Sequence, residues 1–211
     1  MEQNEFEQNT DAQDDVRSKM ASKKAQREKN LLSYARDLLF MLSAALLILL
    51  LLFRVVVVSG PSMRNTLYDG DYIILVNSFL CADPKAGDII VASKDSFNNG
   101  EPIIKRVIAV AGQIMDIDFD KGKVSVDGVY LNEPYTLTPT NLQEGVKFPV
   151  KVPEGCLFVM GDNRNGSKDS RNPEIGMIDC REVLGKAIFL AFPGITPKTG
   201  ERDFGRIGVL S

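Results

Sequence analysis

Between Leu38 and Phe53 the chain runs for sixteen residues without a charge and is rich in leucine. After a single Arg54 the apolar run resumes as Val55-Val56-Val57-Val58. Read as one helix, the 21 residues from 38 to 58 span about 31 Å, enough to cross the hydrocarbon core of a bilayer. Arg54 lies near one end, where its side chain can snorkel to the headgroups. The rest of the chain must therefore be organised around a membrane anchor. Seven Lys/Arg residues (17, 19, 23, 24, 27, 29 and 36) precede the run, and only Arg64 falls within the twenty residues after it. The asymmetry predicts a cytoplasmic N-terminus and an extracytoplasmic remainder at the cytoplasmic membrane. A cleaved secretory signal fits less well, because the apolar core exceeds a typical h-region and the segment before it is too long for an n-region.

Three segments follow from this reading. Residues 1–37 carry acids first and bases after, without apolar periodicity, which predicts a largely disordered cytoplasmic tail. Residues 38–58 form the anchor, and residues 59–211 an extracytoplasmic domain. That domain reads as β. Apolar or alternating runs recur at 72–76, 88–92, 103–111, 114–117, 123–126, 157–160 and 187–192, punctuated by Gly, Pro, Asn and Asp. Asp127-Gly128 between two short apolar runs is a hairpin turn signal. The expected fold is an all-β soluble domain of antiparallel sheets, open-barrel or sandwich-like, behind one N-terminal transmembrane helix.

Composition removes several chemistries. The 211 residues include no histidine, which excludes Ser-His-Asp, Cys-His and the usual zinc sites. The three cysteines, Cys81, Cys156 and Cys180, lack C-x-x-C spacing and read as small core residues. A formal charge of −3 gives no footprint for nucleic acid.

Without histidine, an alcohol nucleophile needs another base, and a lysine of lowered pKa serves. Lys105 lies in Ile103-Ile104-Lys105-Arg106-Val107-Ile108-Ala109-Val110, where alternation places it with Ile103, Val107 and Ala109. Desolvation there would disfavour the ammonium. The alternative is an edge strand whose lysine points to water. Ser62, preceded by Gly60-Pro61, sits where a sharp turn can expose a hydroxyl and nearby N–H groups. On its own it is merely a turn. Residues 161–171 (Gly-Asp-Asn-Arg-Asn-Gly-Ser-Lys-Asp-Ser-Arg) pack paired charges too densely for an ordinary surface loop. Their spacing does not fit a calcium loop, so a hydrogen-bonded scaffold is expected.

Taken in order, these features resemble the type I signal peptidases. The likeness begins with Ser62-Met63 and Thr66-Leu67. It continues through Gly70-Asp71, Gly87 to Val91 and Lys105 to Ile108, and closes with 161–171 and Gly185-Lys186-Ala187. The single anchor resembles the compact Gram-positive type. The resemblance implies an endopeptidase that removes signal peptides from exported precursors with a Ser62/Lys105 dyad, using no cofactor and no metal. It further implies that Ser167 holds the lysine amine, that Asp169 and Arg171 form a supporting ion pair, and that Asp162 and Arg164 belong to the scaffold. Val58, Met63, Leu67, Ile103 and Ile104 would line the substrate pocket. Gly60 stands where some members place a serine that helps bind the oxyanion, so the Ser62 N–H would need another donor beside it. Alternatives are a family member dedicated to a narrow client set such as pilins, and a non-catalytic membrane-tethered β module. The soluble self-cleaving repressors share Ser/Lys chemistry but carry no anchor.

Overall fold

The computed structural model describes residues 2–80, 83–94, 97–197 and 199–210. They fall into two compact units, 1–50 and 51–211. The first is helical: α1 runs from Glu2 to Leu52. Its stretch Lys29–Leu52, 24 residues with mean hydropathy 2.2, is long and apolar enough to cross a membrane. Two expectations are revised here. The segment 1–37, expected to be a disordered tail, is helical from Glu2 onward. Its Glu, Gln, Lys, Arg and Ala are strong helix formers, and extending an existing helix is far easier than nucleating one. The anchor expected over 38–58 stops as helix at Leu52, and Phe53–Val57 forms strand β1 instead. The valines are β-branched and stiff at χ1, and an apolar partner strand is at hand, so pairing outcompetes helix there.

The second unit is built on antiparallel strands. After β1 come β2 (Tyr72–Asn77), β3 (Ile89–Ala92), β4 (Ile103–Val110), β5 (Ile114–Asp118), β6 (Lys123–Val126) and β7 (Val129–Tyr130). Then follow β8 (Val150–Lys151), β9 (Cys156–Met160), β10 (Ile178–Asp179), β11 (Val183–Phe192) and β12 (Gly208–Val209). One eight-stranded sheet runs β1-β2-β11-β3-β4-β9-β10, with β12 on β11; a four-stranded sheet runs β7-β6-β5-β8. The Asp127-Gly128 signal makes the β6–β7 hairpin: both residues have positive φ (51° and 80°), and Val126 pairs with Val129. Asp127 secures the turn by accepting the Ile114 N–H at 2.8 Å.

Two features of this sheet position the site. Among the described residues β1 has a neighbour only in β2, with Val57 opposite Tyr72, so its other edge is open there. β4 pairs with β3 from Ile103 onward, whereas its pairing with β9 begins only at Arg106. Its first residues therefore also present an open edge. Burial concentrates in three apolar clusters. One, with Val58, Met63, Leu67, Ile73, Leu75, Ile89, Val91 and Ile104, lies behind the turn that carries Ser62. Cys156 and Cys180, expected as core residues, are only half-buried free thiols; Cys81 lies outside the described residues.

Candidate active site

The nucleophile candidate sits in the connection from β1 to β2. Gly60 takes φ 86°, which a side chain would strain, and its N–H donates to Asp69 Oδ1 at 2.8 Å. The following residues coil tightly: the Arg64 N–H donates to the Pro61 carbonyl, and the Thr66 and Leu67 N–H groups to that of Met63. Met63 and Leu67 are buried beneath this coil at 1% and 0% exposure, leaving Ser62 half-buried above them. Among the described residues no hydrogen bond engages the Ser62 N–H.

Lys105 lies on β4, opposite the buried Ile90 of β3. It is 5% exposed, and no carboxylate among the described residues comes within ion-pair distance of its Nζ. Burial lowers its pKa from 10.5 to about 8, against the opposing pull of Asp169 and Glu144. The edge-strand alternative, with the side chain in water, is thereby removed. The expected company of Lys105 is only partly right. Ile103 and Val107 pack in one cluster, but a register shift between Val107 and Ala109 sends Ala109 into another.

The loop 161–171 braces the turn that carries Ser62. The Asn163 N–H donates to the Ser62 carbonyl at 3.0 Å, and Asn163 Nδ2 to the Pro61 carbonyl at 3.2 Å. A Cβ on Gly161 would collide with the Ser167 side chain and the Ser62 carbonyl, so only glycine allows loop and nucleophile turn to meet. Ser167 is 6% exposed and stands at this junction. Asp169 and Arg171 pair bidentately, both contacts at 2.8 Å, and Asp169 also accepts the Gly161 N–H. Asp162 and Arg164 belong to the scaffold but not to each other. Asp162 takes the Arg106 guanidinium bidentately at 2.9 Å, together with the Thr66 hydroxyl at 2.5 Å. Arg164 grips Glu133 at 2.9 and 2.6 Å. These partners, Arg106 and Glu133, went unassigned in the sequence, as did Glu144, 3.1 Å from Arg171. Arg106 was visible beside the lysine, whereas nothing in the loop before β8 marks either glutamate.

Ser62 and Lys105 line one cavity of about 320 Å³, with Val56, Val57 and Ser59 on one side and Glu101 to Ile104 on the other. Ile103 and Ile104 are among the residues that line it. Val58, Met63 and Leu67 are not: they are 3%, 1% and 0% exposed within the core cluster and support the site from behind. The cavity is lined instead by Val56, Val57 and Val91, of which Val91 belongs to that same core cluster and Val56 packs against it.

A family model described as signal peptidase, peptidase S26, matches residues 31–192. The chain is 36% identical over 183 residues to signal peptidase I of Bacillus licheniformis, covering 82% of this chain and 96% of that one. It is 31% identical over 183 residues to a signal peptidase I of Bacillus amyloliquefaciens, with 83% and 95% covered. Signal peptidase I S of Bacillus subtilis is 30% identical over 183 residues, with 82% and 96% covered.

Proposed function

This chain belongs to the signal peptidase family, peptidase S26, and from that premise we propose how its residues remove signal peptides from exported precursors. It is a serine endopeptidase. Ser62 is the nucleophile and neutral Lys105 the general base. The amine takes the hydroxyl proton as Oγ attacks the scissile carbonyl, then returns it to the leaving amine. Water hydrolyses the acyl-enzyme by the same relay. The Ser62 N–H faces the developing oxyanion, and a second donor completes the hole in place of the hydroxyl that Gly60 lacks. Asp162, Arg164, Ser167, Asp169 and Arg171 hold this geometry.

The observation that carries the reading is that Ser62 and a buried Lys105 of lowered pKa line the same cavity. The edges of β1 and of the first residues of β4 suit an extended substrate, whose backbone pairs with both while alternate side chains enter the cavity. Walls of Val56, Val91, Ile103 and Ile104 narrow the space, which favours small residues before the cut and two positions earlier. The apolar part of α1 anchors the enzyme in the cytoplasmic membrane with its N-terminus inside and residues 59–211 outside.

The test randomises those two substrate positions in a model precursor and sequences the products released by the purified full-length chain. Small residues, mainly alanine, should dominate both positions. Equal cleavage after bulky or charged residues would count against the pocket described here.

A further inference from the structure

Ser62 is flanked by two peptide groups, and one residue of the 161–171 loop holds both. The Asn163 N–H donates to the Ser62 carbonyl at 3.0 Å, fixing the peptide that follows the nucleophile. Asn163 Nδ2 donates to the Pro61 carbonyl at 3.2 Å, fixing the peptide that precedes it. The Pro61 carbonyl and the Ser62 N–H belong to one planar group, and in a trans peptide the two point in opposite directions. A donor on that carbonyl therefore aims the N–H away from Asn163, and no hydrogen bond among the described residues engages it. The carbonyl also accepts the Arg64 N–H at 3.1 Å, but that bond lies within the turn and moves with it. The Asn163 bond reaches across 102 positions and ties the plane to a separate element. The amide that makes it packs against the bare backbone of Gly166, where an added Cβ would collide with Asn163 Nδ2.

We propose that Asn163 is a positioning residue for the oxyanion hole, its side-chain amide setting the direction of the Ser62 N–H. This rests on the reading of Ser62 as nucleophile. The bond acts in two ways. It spares the N–H a reorientation when negative charge develops on the scissile carbonyl oxygen. It also polarises the peptide, because a donor on the carbonyl strengthens the N–H as a donor in turn. Both effects grow with the charge on the substrate oxygen. They stabilise the transition state more than the bound substrate, and so belong to kcat rather than KM.

The experiment measures kcat and KM against pH for detergent-solubilised full-length wild type, Asn163→Ala and Gly166→Ala on a signal-peptide substrate. Asn163→Ala removes the bond to Pro61 and keeps the backbone bond to Ser62, whereas Gly166→Ala pushes the amide off the same carbonyl. Each should lower kcat about tenfold, less than the loss of an oxyanion donor itself, with KM and the midpoint of the ascending pH limb unchanged. A peptide aldehyde, which bonds to Ser62 Oγ and places its oxygen in the hole, should bind each variant about tenfold more weakly. Uncleaved substrate should bind Ser62→Ala equally well with and without Asn163→Ala. An unchanged kcat in Asn163→Ala, a loss confined to KM, or a moved pH midpoint would overturn the proposal. Should Asn163→Ala fail to fold, Gly166→Ala carries the test. Failure of both to fold would also overturn the proposal, because it would assign Asn163 to structure alone. Cleavage surviving in Ser62→Ala would instead sink the nucleophile reading, so the two failures are distinguishable.

Discussion

Lys105 and Arg106 are neighbours on one strand, almost equally buried at 5% and 1% exposure, yet they meet opposite fates. Arg106 is fully engaged. Asp162 takes two of its N–H groups, the Gly87 carbonyl another at 2.8 Å, and the Tyr135 ring lies 4.0 Å beneath its plane. Its burial is tolerated because every part of it has a partner. Lys105 has the same burial without an ion-pair partner, so it sheds its proton near pH 8 instead. Burial lowers the lysine pKa, whereas the guanidinium beside it stays charged at any usable pH and is accommodated by its partners. One residue serves the fold, and its neighbour is available for chemistry.

The comparison is broken most sharply by making both positions methionine. Lys105→Met should lower precursor cleavage by about 10⁴-fold or more while the chain stays folded by circular dichroism. Lys105→Arg should fail equally, because a guanidinium stays charged at any usable pH. Near-normal turnover in either variant would erase the contrast. Arg106→Met should act on stability, costing about 3–5 kcal/mol in denaturant unfolding, because it strands the buried Asp162 carboxylate.

The smallest effect has the opposite sign. Lys105 titrates near 8 when folded and 10.5 when unfolded, a gap corresponding to about 3 kcal/mol. Between those values the unfolded chain binds more protons than the folded one, so wild-type stability rises with pH across that window. Lys105→Met should therefore be more stable than wild type by about 3 kcal/mol at pH 7, an advantage that fades by about pH 10.5. Equal destabilisation by both methionines would show that the lysine is paired after all.

The same contrast explains what could be read from the sequence. The strands at 72–76, 103–111 and 157–160 were legible because their apolar runs are bounded by turn residues. The short strands β8, β10 and β12 were not, since two residues carry no periodicity and owe their existence to the neighbour they pair with. The end of α1 was misjudged for a related reason: hydropathy continues through Val58, and only pairing with β2 turns the valines into a strand. In the site, Ser62, Lys105 and the 161–171 loop stood out by composition and order. Arg106 joining Asp162, and Glu144 joining Arg171, are contacts across 56 and 27 positions, which no local pattern encodes. Pocket walls failed similarly. Val56 and Val58 pack against the same core cluster, yet of the two only Val56 lines the cavity, a difference that the local apolar pattern does not encode.

Arg206, in the segment before β12, also reaches back to the turn that carries Ser62. Arg206 donates to both oxygens of the buried Asp71 at 3.0 and 2.6 Å, and to the Thr66 carbonyl at 3.1 Å, while its guanidinium covers the Tyr68 ring at 4.2 Å. A ribosome delivers Ser62 long before it delivers Arg206. During synthesis the turn therefore spends most of its time without this tie, and the strand leading to Lys105 and the bracing loop arrive in the interval. Among the contacts described for this turn, the tie to Arg206 is therefore the last that the order of translation lets form.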